Sequence, residues 1–361
     1  MTSYNPENER IKKSYFIFLK EANQKAETTI NAIRKAILRY EEYTKLKSFK
    51  SFNKEQAIAF KKQLTATKAE RTGNPLAKAT ILSTLNILKA FFGWLRFQIG
   101  YKPYINKPDI DYLNLSEKET RAAKAPKTKT FPTLEQIRKA LFAMPDKSDL
   151  EKRDRALMAF TILTGLRDSA ITSLKIKHID LHRDYVNQDP NEVKTKFSKK
   201  IDTFFFPVGN DIKAVFVDWV VFLRQERHYG MEDPLFPLTG LGHDENKAFT
   251  PSGLEPRHWS NATAIRKIFK IAFERVELPY FSPHKFRDTL THIGQRKCTT
   301  PEEFKAWSQN LGHESPLTTF TSYGQIDPHR QGELIKDLGE KKKETDSAEE
   351  ILSFLRKKLG D

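Results

Sequence analysis

Residues 80–100, TILSTLNILKAFFGWLRFQIG, place Ile81, Leu85, Leu88, Phe92, Leu95 and Ile99 at alternating steps of four and three. That spacing draws one apolar stripe along a helix, and Gly100 supplies its stop. Upstream, Ile30, Ile33, Ile37 and Tyr40 repeat the pattern in a helix entered through Thr28 or Thr29. SFNKEQAIAFKKQL adds a shorter helix with Asn53 as its cap. The first hundred residues therefore read as a compact bundle of about four or five helices.

Pro103, Pro108 and Pro126 then interrupt the pattern, and RAAKAPKTKT is basic with no apolar face. We read residues 1–118 as a helical domain and 119–131 as a basic interdomain linker. A second domain spans 132–345, because FPTLEQIRKALFAM opens with Thr133 and Gln136 in the arrangement of a capping box. In it, LEKRDRALMAFTILTGLRDSAITSLKIKHIDL reads as two helices separated by a turn at Gly165. The strand-rich DYVNQDPNEVKTKFSKKIDTFFFPV follows, and the chain then returns to helices up to LGHE. Residues 346–361 form a C-terminal helix with a capping box at Ser347 and Glu350 and an apolar face of Ile351, Leu355 and Leu359. The expected fold class is mainly α with a small β-sheet.

Charge narrows the choice of partner. The chain carries 62 Lys and Arg against 46 Asp and Glu, a net +16, which attracts polyanions such as nucleic acid or an anionic membrane surface. Residues 1–120 hold 22 basic and 12 acidic residues, so +10 of that excess lies in the first third, as in a region that grips DNA. The single Cys298 excludes a disulfide framework and a cysteine-rich zinc site. No stretch reaches the roughly 18 apolar residues of a membrane span, and the polar start MTSYNPENERIKK is unlike a signal peptide. A soluble, cytoplasmic protein is expected.

Several short motifs carry chemistry. In FSPHKFRDTL, Ser282 caps a helix whose first residue is Pro283, which puts His284 and Arg287 three apart on one face of its first turns. Free amides and partial positive charge there suit an anion such as a phosphate. In LTGLRDSAITSL, Gly165 permits a sharp turn and Arg167 starts the next helix. Thr300, Pro301 and Glu303 open another helix that ends at Gly312 and hands over His313, ten residues before Tyr323. Taken singly, each fragment is more often a solvated face or a C-cap than a site.

In order, an Arg, a Lys-bearing hairpin, His-x-x-Arg, Leu-Gly-His and a late Tyr resemble the tyrosine recombinases, the phage integrase family, from about Thr133 to Gly324. The resemblance implies a helical core-binding domain and a mixed α+β catalytic domain closing on duplex DNA as a C-shaped clamp. By it, Arg167 and Arg287 clamp the non-bridging oxygens of a phosphodiester, and His284 and His313 add hydrogen bonds and manage a proton. Tyr323 becomes the nucleophile, giving a 3′-phosphotyrosyl link and a free 5′-hydroxyl. The leaving oxygen takes its proton from a lysine of VKTKFSKKI, Lys196 by the Thr-Lys pairing, with Lys194 as the alternative. The covalent link stores the bond energy, so no ATP, metal or other cofactor is implied.

The family further implies bacterial or phage origin near the nucleoid, and a homo-tetramer on two double-stranded DNA sites, a dimer on each, exchanging strands through a Holliday junction. The helix at 346–361 is a candidate contact between protomers. Two features depart from the pattern. Ala170 stands where the family commonly carries an acid, with Asp168 adjacent to Arg167 instead, and the interval from His313 to Tyr323 is one residue longer than the family pattern leads one to expect. Two other readings compete: a type IB topoisomerase-like relaxing enzyme, and a catalytically silent DNA-binding regulator.

Overall fold

A computed structural model of the protein describes residues 4–69, 73–125, 130–243, 249–313, 332–333 and 335–336. The chain divides into two compact units, Met1–Ala125 and Pro126–Asp361.

In the first unit α1 (Pro6–Ile17) runs into a π-helical turn, Phe18–Ala22. It is followed by α2 (Glu27–Tyr43), α3 (Lys54–Ala66), α4 (Lys78–Leu95), α5 (Lys107–Asp111) and α6 (Glu117–Lys124). The apolar stripes become the core: Ile81, Leu85, Leu88, Phe92 and Leu95 are buried, as are Ile30, Ile37 and Tyr40. Phe92 stacks on Phe52 at 3.9 Å between ring centroids. Asn53 caps α3 by accepting from the Gln56 amide. Buried Asn8 donates to Glu41 Oε1 (3.2 Å) and to the Lys47 carbonyl (3.0 Å), so the polar group inside the bundle is satisfied.

Three local expectations change. Ile99 is fully exposed, because α4 ends at Leu95. The amides of Phe97 and Gln98 bond three residues back, to Trp94 and Leu95, and this tighter winding turns Ile99 off the stripe. Helix α2 starts at Glu27, behind Ala26 rather than a threonine cap. The stretch read as linker from residue 119 is helical through Lys124, with Ala123 buried. Its start was legible in the capping box of Ser116 and Glu119.

In the second unit the Thr133–Gln136 capping box opens α7 (Leu134–Phe142) as expected. Helix α8 (Asp149–Thr164) is buried on every side from Ala156 to Thr164, which makes it the central helix. Around it pack α7, α10 (Asn210–Gln225) and α12 (Pro283–Lys297). Between α8 and α10 lie the short α9 (Asp168–Ile171) and an antiparallel sheet of β1 (Ile179–Asp180), β2 (Tyr185–Gln188) and β3 (Ile201–Phe204). Tyr185 pairs with Phe204 and Gln188 with Ile201, so residues 189–200 form the connection that carries the lysines.

The return to an all-helical chain after this sheet does not hold. Strands β4 (Leu238–His243) and β5 (Phe249–Glu255) form a separate antiparallel hairpin before α11 (Thr263–Glu274). LTGLGH and FTPSGLE lack the run of β-branched residues that marks a strand, and a bulge at Gly240/Leu241 breaks the register. Buried Arg153 anchors the hairpin's base, donating to the Pro237 carbonyl (3.0 Å) and Thr239 Oγ1 (2.9 Å). Finally α13 (Pro301–Asn310) docks on β3 through Asn310, whose side chain exchanges bonds with the Phe204 amide (2.6 Å) and carbonyl (2.8 Å). The C-terminal helix expected at 346–361 lies outside the described residues.

Candidate active site

Three chain reversals converge at one end of α8. The helix stops at Gly165, which adopts the left-handed conformation (φ +61°). A Cβ there would lie 2.8 Å from Leu290 Cδ1 of α12 and from Leu311 Cδ2, so both conformation and space require glycine. The turn delivers Arg167 as the residue before α9, half-buried. The second reversal enters α12 through Ser282 and Pro283, with His284 exposed in its first turn and Arg287 one turn further, 5% exposed. Ser282 makes no side-chain capping bond, contrary to the expected cap. The third ends α13 at Leu311 and, through Gly312 (φ +65°), presents His313.

Arg287 ties the three together. Its guanidinium donates to the Gly165 carbonyl and, at 2.5 Å, to the Leu311 carbonyl. Its Nη2 lies 3.0 Å from His313 Nε2. Arginine offers only donors, so His313 Nε2 accepts and the ring proton resides on Nδ1. Burial first, then the neighbouring Arg167 charge, pushes Arg287 down to about 9, with Asp288 opposing. The side chain therefore remains a cation at neutral pH. Burial and the charges of Arg287, Arg167 and His284 push His313 down to about 4, which keeps its imidazole neutral. Burial also lowers Arg167. His313 thus lies within electrostatic reach of Arg287, Arg167 and His284, and Arg287 within that of Arg167.

Two described carboxylates follow these arginines in the chain. Asp168 accepts from Arg266 Nε (3.0 Å) and Nη2 (2.7 Å), and Asp288 lies 3.3 Å from Lys285 Nζ. Ala170, at the position of the missing acid, is buried. The Arg167 carbonyl accepts from the Ala170 and Ile171 amides, while its side chain makes no hydrogen bond or ion pair with another described residue. Two guanidinium groups and the His313 imidazole thus lie together, partly desolvated, at the N-terminus of α12, where an anion is favoured. Arg266, the partner that claims Asp168, had no signal in the sequence, since it lies 98 residues away.

Both lysines considered from the sequence have exposed side chains on the β2–β3 connection. The Lys194 amide donates to Ser173 Oγ at 2.9 Å, whereas Lys196 opens the 3₁₀ turn Lys196–Ser198. Tyr323 lies outside the described residues. Among the described residues no group of three or more His, Cys, Asp and Glu is placed to hold a metal, and no helix is long and apolar enough to cross a membrane.

The phage integrase family profile matches residues 132–330, more than half of the chain. Among solved structures, a lambda integrase fragment bound as a dimer to a COC′ core site is 14% identical, with 88% of this chain and 97% of that one covered at a TM-score of 0.59. The XerH recombinase in its post-cleavage complex with a palindromic difH substrate is 19% identical, covering 88% and 81% at 0.57. The Tn1549 transposon integrase with transposon right-end DNA is 14% identical, covering 91% and 99% at 0.52. At these identities the likeness is one of fold. No curated protein matches the sequence.

Proposed function

Because this chain belongs to the phage integrase family, we propose that it is a site-specific DNA recombinase, cutting and rejoining strands through a 3′-phosphotyrosyl intermediate on Tyr323. One observation carries the reading: buried Arg287, bonded to His313, lies within electrostatic reach of Arg167, so that two guanidiniums and an imidazole converge where three chain reversals meet.

A scissile phosphate is an anion suited to the two guanidiniums. Arg167 and Arg287 donate to its non-bridging oxygens, and those bonds strengthen as the transition state gathers negative charge there. Arg287 is already oriented by the Gly165 and Leu311 carbonyls, so little rotamer freedom remains to be lost. Neutral His313 and the neighbouring His284 offer ring nitrogens to phosphate oxygen and to the tyrosine proton. The Tyr323 oxygen forms the new P–O bond, and the bond to the 5′-oxygen breaks. That oxygen leaves with a proton from Lys196 or Lys194. The reverse attack by a 5′-hydroxyl regenerates Tyr323 and a continuous strand. The basic N-terminal region, residues 1–118 with the chain following it, would grip the duplex. A dimer on each site and a tetramer on two would carry strand exchange through a Holliday junction, and the segment 346–361 would join protomers.

The test is incubation of the protein, and of Tyr323→Phe, with DNA flanking the gene that encodes it, followed by detergent quenching. A protein-linked strand with a blocked 3′ end at one position, absent with Tyr323→Phe, is the expected result. Plasmid relaxation at no fixed position would replace this reading with a topoisomerase. Tight binding with no adduct, even on a nicked duplex, would replace it with a silent DNA-binding protein.

A further inference from the structure

Asp168, the residue after Arg167, holds an arginine from another element. Its Oδ2 accepts from Arg266 Nε at 3.0 Å and Nη2 at 2.7 Å, and its Oδ1 accepts from the Ser169 amide at 2.9 Å. These bonds take the guanidinium by its Nε edge. The edge formed by Nη1 and Nη2 is left over, and Nη1 makes no hydrogen bond with another described residue. The Arg266 side chain is 57% exposed, so solvent reaches this guanidinium, unlike that of Arg287.

Helix α11 presents this arginine on a face suited to nucleic acid. Ile265, Ile268, Phe269, Ala272 and Phe273 are buried, whereas Thr263, Arg266, Lys267 and Lys270 are exposed. The helix carries no acid before Glu274, which pairs with Lys270 at 3.5 Å. Tyr280, on the segment that enters α12, lies near the pair: burial raises its hydroxyl, with Arg266 opposing and Asp168 adding to the rise. The Asp168–Arg266 pair is thus joined through the chain to the turn that delivers Arg167, and it neighbours the segment that leads, four residues on, to His284. DNA held by the arginine site must pass close to it.

Charge decides what the remaining edge can take. Asp168 balances the Arg266 cation, and its carboxylate repels a phosphate brought to the same spot. A pair of neutral acceptors meets no such repulsion. The major-groove edge of guanine offers two, O6 and N7, spaced for the arginine fork; adenine replaces one of them by an amino donor, and each pyrimidine presents a single polar group. Asp168 also holds the guanidinium in one orientation, so little rotamer freedom is lost on contact. We infer that Arg266 reads a guanine in the major groove of the target, and that Asp168 is the positioning residue that aims it. The inference rests on the recombinase reading above and adds a specificity determinant to it. Because Asp168 adjoins Arg167 in the chain, the guanine lies within about five base pairs of the phosphate that Arg167 holds.

The test selects bound sequences from a pool of random duplexes with the wild-type protein, Arg266→Ala and Asp168→Asn, and then measures adduct formation on the wild-type consensus. Wild type should prefer guanine at one position by about tenfold or more, and Arg266→Ala should lose that preference to within about twofold while keeping the others. Asp168→Asn should weaken the same preference about threefold and leave the rest unchanged. Putting 7-deazaguanine at that position removes the N7 acceptor, so wild-type binding should weaken about fivefold and Arg266→Ala should be indifferent. Preference compares sequences bound by one preparation, so a variant that is merely destabilised shifts all of them alike. Uniformly weaker binding by Arg266→Ala with every preference intact, the behaviour of a phosphate contact, overturns the assignment. A guanine preference lost in Arg266→Ala but unaltered in Asp168→Asn overturns the positioning role. Both results leave the recombinase reading standing when the consensus yields an adduct. A wild-type protein that selects no sequence overturns the inference, and one that forms no adduct on the sequence it selects overturns the recombinase reading.

Discussion

Arg287 Nη2 and His313 Nε2 lie 3.0 Å apart, with the guanidinium donating and the imidazole accepting. A histidine in that position cannot accept a second proton on Nε2 without losing the contact and facing a buried cation. Its basicity is therefore lowered first by burial and then by Arg287.

His313 should titrate near 4, well below the ordinary 6.5 of a free histidine. The unfolded chain takes up this proton first as pH falls, so the contribution to stability is complete above 6.5 and is lost on the way down through about 4. An NMR titration of the ring in the DNA-free protein reads the midpoint directly. Comparison with His313→Gln should show the wild-type advantage in thermal stability shrinking over the same interval, and a midpoint near 6.5 would contradict the geometry.

The two arginines should separate structurally while agreeing chemically. Arg287→Ala strands the buried Gly165 and Leu311 carbonyls, each costing about 1–3 kcal/mol, so its melting temperature should fall clearly. Arg167→Ala gives up no bond to a described residue and relieves a like charge, so its stability should stay within about 0.5 kcal/mol of wild type. Both should lose adduct formation by about 100-fold or more. Melting curves run beside single-turnover cleavage check both halves.

Asp168 should matter little. Its bond partner is Arg266, at a partly exposed pair worth at most about 1 kcal/mol. Asp168→Asn should therefore cleave within about tenfold of wild type, far above the loss in Arg167→Ala. A loss as deep as that of Arg167→Ala would mean that Asp168 orients Arg167 once DNA is bound.

Gly165→Ala should destabilise the second unit by about 1–3 kcal/mol, since alanine would have to hold φ +61° and displace Leu290 and Leu311. Because the Gly165 carbonyl orients Arg287, cleavage should fall further than stability does. Denaturant midpoints and single-turnover rates on the same preparation separate the two.

DNA affinity should fall steeply with salt, by about 0.9 logarithmic units of binding constant per logarithmic unit of salt for each phosphate contacted. Replacing both Arg167 and Arg287 should lower that slope by roughly two contacts. Titrations at several salt concentrations measure it, and an unchanged slope would remove these side chains from the phosphate.

The sequence by itself determined the elements whose causes are local. Asn53, Thr133 and Thr300 accept from amides three residues on, and the α4 stripe repeats every three or four positions, so each was readable in a short window. The order Arg167, hairpin lysines, His284, Arg287, His313 and Tyr323 was likewise legible, as a pattern of residue types. Only the tertiary structure decided what those residues are to one another. Arg287 bonds across 122 residues to Gly165, Asp168 turns to Arg266 instead of Arg167, and Ser173 rather than any hairpin residue fixes the Lys194 amide. The β4–β5 hairpin has no local signal either, because its glycine-rich strands exist through pairing with each other and through Arg153 at their base. Caps and helical stripes depend on the chain's own few neighbouring residues, whereas the charge state and aim of a buried side chain depend on which distant groups packing brings against it.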